Sequence, residues 1–524
     1  MELEVGGSIA RHSAEGPMAV QLDTTPYWIE SAPLPHFAPL DQHEEADVVI
    51  VGGGITGLTA AYLLLSAGQT VAVLERRRAV ESETGHTSAH LTMVTDLPMT
   101  DLVKQFGRDH AQAVWDAGLA AMWQIDEIVR AERIMCGFAW VPGYLHAAQA
   151  QASADGEWLQ AEANLVSDLG FDASFVADVP LMHAPGVRFE DQARIHPREY
   201  LAGLMRAVIR KGGRIYEHSE ATDFSDKPRF VESNGYKISC GDVVIATHNP
   251  LVGNQSLASA TLFQTKLSLY SSYVVAGRTK KNTVPDALMW DTADPYHYFR
   301  VQPDRDFDLV IYGGEDHKTG QEPATTQRFD RLEAGLRTLV PDISITHRWS
   351  GQVIESNDGL PFIGEQVEHQ FTGTGYSGNG ITFGTLAAMM ASDRILDRTN
   401  PWTDLFATDR KTIGSAWNYL KENKDYPYYL IRDRFAGAEG KSLRSVKRNQ
   451  GKVIDYQGQP VAAYRDESGA VTLRSAVCTH MGCHVGWNDA EQSWDCPCHG
   501  SRFTTDGEVM SGPAESPLAE VKDA

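Results

Sequence analysis

No run of about 18 uncharged apolar residues occurs in the chain, so no segment reads as a membrane-spanning helix. The first 16 residues carry early acidic side chains and lack an apolar core of signal-peptide length, which sets a cytoplasmic location as the default expectation. Basic residues are scarce: 46 Lys and Arg stand against 69 Asp and Glu, a formal charge of −23. That balance argues against phosphate backbones and anionic lipid surfaces as partners. Cysteines number only six in a chain of 524 residues with no export signal, which sets a disulfide framework behind other readings. Four of them, Cys478, Cys483, Cys496 and Cys498, nevertheless crowd into one short stretch, which reads first as metal binding. Internal repeats and low-complexity tracts are lacking too, and the 42% apolar content is that of a globular protein with roughly three folding units.

The texture changes along the chain mark those units. Residues 1–45 form a Pro-containing arm in which Trp28 and Phe37 are placed to pack onto the body. Residues 46–400 carry an α/β pattern, interrupted from about 262 to 350 by β-branched and aromatic runs that predict an inserted, mostly antiparallel sheet. Helices are expected over 110–133 and from Pro197 to Lys211. Residues 401–427 read as a linker, and residues 428–524 as a small all-β unit in need of a cofactor as a staple.

The α/β unit opens with the apolar strand Val48 to Val51, the turn Gly52-x-Gly54-x-x-Gly57, a helix from Leu58 and a second strand closed by Glu75. Gly52 permits the tight turn, Gly54 lets a pyrophosphate approach the backbone, and Gly57 lets helix and strand pack closely. The helix N-terminus, with Ile55 and Thr56, favours phosphate charge, while Glu75 is placed to accept from ribose hydroxyls. A second triplet, Gly373-x-Gly375-x-x-Gly378, also precedes a helix, but Asn400-Pro401 follows in place of a strand and acid. Its expected role is to bring the helix N-terminus at Gly380 to the same dinucleotide.

These segments, with Ala193-Arg194-Ile195-His196-Pro197, Val243 to Thr247, Asp358 to Gly364 and Gly375 to Gly380, occur in the order typical of the D-amino-acid oxidase and sarcosine oxidase superfamily. The resemblance implies an FAD-binding Rossmann-like domain with an inserted antiparallel substrate domain. It also implies oxidation of a C–N or similar bond by hydride transfer to the flavin. The FAD contacts it implies are Gly52, Gly54, Ile55, Thr56, Gly57, Glu75 and Arg76, with Thr87 and Ser88 from a flavin-facing loop, and Gly375, Gly378, Asn379, Gly380 and Ile381. His86 and His90 depart from the usual loop; hydrogen bonding within it is the main reading, with metal ligation or a covalent flavin link as alternatives.

Near the C-terminus, Cys478-x-His480 and Cys496-x-x-His499 supply two thiolates and two imidazoles from two loops. That set suits a [2Fe–2S] cluster, and by residue type alone it also suits zinc. The pattern resembles the Rieske family, which decides for the cluster: Cys483 and Cys498 match the pair that closes a loop-to-loop disulfide in high-potential members, and Gly512-Pro513 matches the segment covering the cluster. The oxygenase branch is disfavoured, since no Asp-x-x-His-x-x-x-x-His run is present.

A flavin takes two electrons from a closed-shell substrate, whereas the cluster takes one at a time. Their fusion favours a dehydrogenase acting on a small amine or amino acid, with electrons leaving to a soluble carrier or quinone. Reverse flow and a non-catalytic relay are the alternatives. Arg300 is the candidate clamp for a substrate carboxylate, with an ordinary ion-paired arginine as the alternative reading, and Tyr298 and His297 are candidates for the same pocket.

Histidine ligation places the potential in a span of about −150 to +300 mV. Ser501 matches the family serine that bonds a cluster sulfide, while Phe503 stands where respiratory-chain members have tyrosine, so one hydrogen bond is missing. Phe503→Tyr should therefore raise the midpoint potential; a voltammetric titration showing no increase would count against the assignment.

Overall fold

The computed structural model describes residues 24–148, 152–249, 266–322, 324–410 and 443–521. The first 23 residues of the arm, linker residues 411–427 and residues 428–442 lie outside the described residues.

Short strands whose residues are apolar on both sides have to be covered on both faces. Val48–Val51 and Val71–Leu74 are wholly buried and lie side by side in parallel register at the heart of a six-stranded sheet. Its order is Phe362–Val367, Gln370–Thr374, Asp242–Ile245, Val48–Val51, Val71–Leu74, Arg214–Tyr216. Only the first pair is antiparallel. The helices Ile55–Ser66 and Gly380–Ile395 are apolar nearly all round, the pattern of helices enclosed on every side.

The second large layer is a nine-stranded sheet. Leu267–Thr279, Leu288–Asp291, His297–Pro303, Asp308–Lys318 and Ser344–Ser356 form the part expected from sequence. The sheet is wider than that expectation: Ala139–His146, Gly186–Arg194, Ala173–Val176 and His90–Leu91 extend it. Leu288–Asp291 pairs in parallel with Ala139–His146, a partner more than 140 positions away that local patterning does not reveal. Pro142 and Gly143 inside that strand further mask it, since both are depleted in strands. The expected helices appear as Arg108–Glu132 and Pro197–Arg210, and a further one spans Ala152–Asp168.

Within the arm, Tyr27–Ser31 is a short helix that buries Trp28 completely, its Nε1 donating to the Thr87 carbonyl at 2.7 Å. The C-terminal unit stacks a three-stranded sheet (Gln450–Tyr456, Gln459–Arg465, Val471–Ser475) beside a four-stranded one (Gly486–Asn488, Ser493–Asp495, Arg502–Phe503, Val509–Ser511). It rests directly on the rest of the protein. Arg76 and Arg77 donate to the Met510 and Val509 carbonyls, Asn249 to Gly512, Gln321 to Pro497 and Gln352 to Gly500.

At the edge of the α/β sheet, Arg410 forms a bidentate pair with Asp358, at 2.8 and 2.6 Å, and both side chains are under a tenth exposed. The pair closes the turn between the Ser344–Ser356 and Phe362–Val367 strands, where the guanidinium also reaches the Pro361 carbonyl. Arg410→Met strands a buried carboxylate and should cost about 3–5 kcal/mol, read as a lower urea midpoint; a shift within error would show that the pair is dispensable.

Candidate active site and iron–sulfur centre

The glycine turn is dictated by backbone proximity. Gly52 has φ +113°, and a Cβ there would sit 2.6 Å from the Ala246 carbonyl oxygen; one on Gly57 would sit 1.9 Å from the Gly52 carbonyl oxygen. Strand and helix can meet this closely only without side chains. Gly54 caps the helix with no side-chain bond of its own, so the helix N-terminus at Ile55 and Thr56 borders a cavity of about 1020 Å³, the Ile55 amide lying 3.4 Å from Thr84 Oγ1. Glu75 ends the next strand, where its carboxylate accepts from the Gly53 and Arg77 amides, each at 2.9 Å, and Arg76 lies beside it.

Thr87 and Ser88 line the cavity further along, on a loop held from behind by Trp28 and by Arg300, whose Nη1 donates to the Ser88 and Ala89 carbonyls. Gly375 (φ +73°), Gly378, Asn379, Gly380 and Ile381 form the opposing lip. Asn379 anchors that lip by donating to the Val94 carbonyl at 2.8 Å. His86 and His90 both line the cavity, His86 with its Nδ1 3.0 Å from the Ser82 carbonyl and His90 edge-on to the Tyr298 ring. They do not share a helix face, since only a 3₁₀ turn (Glu83–Gly85) and the short strand His90–Leu91 occur there.

The three candidate substrate residues separate. Tyr298 lines the cavity, its hydroxyl 3.3 Å from Ser272 Oγ, and burial raises its pKa. His297, the next residue on the strand, points the other way. It bonds Asp291 at 3.2 Å, which raises its pKa, and stacks on Tyr312 outside the cavity. Arg300 shares the face of Tyr298 but is fully buried and does not reach the cavity. Its guanidinium is taken up by the Ser88, Ala89 and Ile195 carbonyls and Gln302, over the Trp28 ring, and burial brings its pKa down to about 9. The carboxylate-clamp expectation for Arg300 is thus corrected: it is a brace for the Thr87–Ala89 loop.

Two residues that no motif singled out stand in its place. Asp96 is exposed to the cavity and accepts from the Gly378 amide at 3.0 Å, and desolvation by the cavity walls around it raises its pKa. Tyr296 lies beside it: a Cβ on Gly378 would meet both the Asp96 carboxylate and the Tyr296 hydroxyl. Behind them Asp316 is pushed up to about 7 by burial and by Asp96, and its Oδ1 has no hydrogen-bond partner among the described residues. Arg76, at the Glu75 end, is the one Lys or Arg in the described lining.

In the C-terminal unit, Cys478 and Cys496 are free, buried thiols hydrogen-bonded to one another, and the His480 and His499 ring centroids lie 4.9 Å apart. That hydrogen bond lowers the pKa of Cys478 and raises that of Cys496, while burial lowers both histidines, keeping them neutral as ligands must be. Cys483 and Cys498 are joined as a disulfide, so they are spent, although their sulfurs lie within 4.8 Å of Cys496 Sγ. Ser501 Oγ accepts from the Ala514 amide at 3.0 Å and bonds Cys478.

Residues 47–394 match the FAD dependent oxidoreductase (DAO) family, and residues 440–522 match the Rieske [2Fe-2S] domain. The chain belongs to the FAD dependent oxidoreductase family and carries a Rieske domain. It is 31% identical to the putative Rieske 2Fe-2S iron-sulfur protein YhfW of Bacillus subtilis, over 94% of this chain and 97% of the relative. Gamma-glutamylputrescine oxidoreductase of Escherichia coli is 25% identical, over 71% of this chain and 88% of that protein. The fold is shared with glycine oxidase from Geobacillus kaustophilus, at TM-score 0.58 and 17% identity, over 70% of this chain and 99% of that one.

FAD and a [2Fe–2S] cluster are accordingly the cofactors of this oxidoreductase, and the residues fit both. The side-chain-free turn, the uncapped helix N-terminus and the cavity volume suit a dinucleotide. Two thiols and two neutral imidazoles facing one another suit the mixed-ligand cluster. Gly54→Val, whose Cβ would meet the Thr84 hydroxyl at 3.0 Å and no backbone atom, should yield a folded protein that retains the cluster but releases no FAD on acid denaturation; full flavin content after purification would contradict the cradle.

Proposed function

We propose that this oxidoreductase is a dehydrogenase for a small amine, with electrons passing from FAD to the Rieske cluster and on to a soluble carrier or quinone. The observation carrying the substrate reading is the sign of charge at the inner end of the cavity. Asp96, Asp291 and Glu162 line it with Tyr296 and Tyr298, and it has no cation among the described residues to hold a carboxylate. An ammonium meeting Asp96 regains in part the solvation it loses on entry, whereas an amino acid would leave its carboxylate unpaired.

The side chains divide the work. Phe189 and Trp290, stacked with centroids 5.9 Å apart, offer an apolar wall for the carbon chain. The Asp96 carboxylate is placed to hold the ammonium and to accept one of its protons, which frees the nitrogen lone pair needed to expel hydride from the adjacent carbon. FAD, when bound, supplies the two-electron acceptor. Similarity to gamma-glutamylputrescine oxidoreductase, a name that denotes an amine substrate, supports the same class.

Exchange between the two centres is supported by the Rieske domain's seat over the flavin cavity, whose lining includes Met510 to Ser516; the outward direction follows from the flavin's two-electron and the cluster's one-electron capacity. Anaerobic mixing with a panel of alkylamines, diamines and amino acids should bleach the flavin with amines first, followed by reduction of the cluster. Bleaching by amino acids alone would overturn the amine reading, and reduction only by ferredoxin-like donors would reverse the flow. Asp96→Asn should lower kcat/KM for the best amine about 30-fold or more, the lower bound for loss of a desolvated charge pair. An unchanged kcat/KM would remove Asp96 from the site.

A further inference from the structure

The strand Ser344–Ser356 lines the flavin cavity with Gly351 to Ile354, and one of its side chains leaves the cavity toward the cluster. Gln352 is 4% exposed; its Nε2 donates to the Gly500 carbonyl at 2.9 Å and lies 3.4 Å from Thr319 Oγ1. Its own amide donates to Glu83 at 2.6 Å, and Glu83 also belongs to the cavity wall. Gly500 follows His499 directly. One residue therefore ties the wall of the flavin cavity, through its backbone amide, to the peptide next to a cluster ligand, through its side chain.

The seat around it is built for close approach. Gly500 has φ +70°, and a Cβ there would stand 2.7 Å from Leu269 Cβ. From the other side, Gly320 has φ +78°, and its Cβ would stand 2.7 Å from the Cys496 carbonyl carbon and the Pro497 nitrogen. Two glycines in left-handed conformations, one on each partner, thus let backbone meet backbone at the second ligand loop, and Gln321 adds a bond to Pro497 at 3.0 Å. The first ligand loop differs: Thr479, Met481 and Gly482 are exposed while Pro497 and Gly500 are buried. The cluster has an inner side and an outer one.

We infer that Gln352 is the positioning residue of the electron junction, coupling the flavin cavity to the cluster through its bond to the Gly500 carbonyl. This rests on the reading that the two cofactors exchange electrons within one chain, whichever way the net flow runs. Each transfer moves a single electron: the flavin loses one and the cluster, Fe(III)Fe(III) to Fe(II)Fe(III), gains one, or the reverse.

Photochemical injection of single electrons into the anaerobic holoenzyme, followed at flavin and cluster wavelengths, tests this without any substrate. Wild type should show one centre reoxidising as the other is reduced. Gln352→Leu and Gln352→Glu should slow that exchange by about tenfold or more, the scale at which ligand-supporting partners act. Flavin content and the reduced-cluster resonance spectrum should be retained, while hydrogen exchange at residues 496–501 should speed up. Exchange at the wild-type rate in both variants, with the loop still protected, would overturn the role of Gln352. An absence of exchange in wild type would instead overturn the shared-electron reading beneath it.

Discussion

The structure depends on one constraint: a one-electron centre is useful to a flavin only if it is held near, and a small domain does not hold itself near anything. The Rieske unit is fastened by backbone carbonyls at Pro497, Gly500, Val509, Met510 and Gly512, each bonded to a side chain of the oxidoreductase body. Carbonyls along ligand and covering loops are fixed by the cluster fold itself, so docking through them ties the position of the metal site to the body with no flexible side chain on the Rieske side. Among the described residues, side-chain precision then falls on the body, at Arg76, Arg77, Asn249, Gln321, Thr325 and Gln352.

Much of this was legible in the order of residues, and for a physical reason. The glycine turn, the uncapped helix and the ligand pairs Cys478/His480 and Cys496/His499 are local: each function needs residue types at fixed short spacing, and spacing is what sequence displays. The disulfide between Cys483 and Cys498 was implied by the family pattern and is formed in the structure. What sequence hid was non-local. The width of the large sheet comes from a parallel pairing of Leu288–Asp291 with Ala139–His146, whose partners no local period connects. Gln352 sits in an ordinary β run, and nothing in that run announces a contact 148 positions away.

Arg300 shows how a local signal misleads. Its alternation with Tyr298 correctly places both on one face of the strand, yet a face is longer than a pocket. Two residues further along, the same face has passed beneath the Thr87–Ala89 loop, where a guanidinium finds three carbonyls and an aromatic ring. The charge is spent on fixing a loop that borders the flavin. The acid that does reach the cavity, Asp96, lies in a short segment between Thr95 and Leu97 that matches no motif, and only tertiary contact with Gly378 gives it meaning.

The two ends of the electron path are consequently built from opposite materials. In the flavin cavity and just behind it, burial raises the pKa values of Asp96 and Asp316, so ionising either one carries a desolvation cost. At the cluster end the histidines are held neutral by burial, and the two cysteines ligate as thiolates, so the protein's negative charge there is neutralised by the metal it binds. Between them the bridge is a neutral amide, which carries no charge to be resolvated when an electron passes. A lysine or glutamate at position 352 would have to be desolvated permanently at the interface; an amide meets the Gly500 carbonyl without that cost.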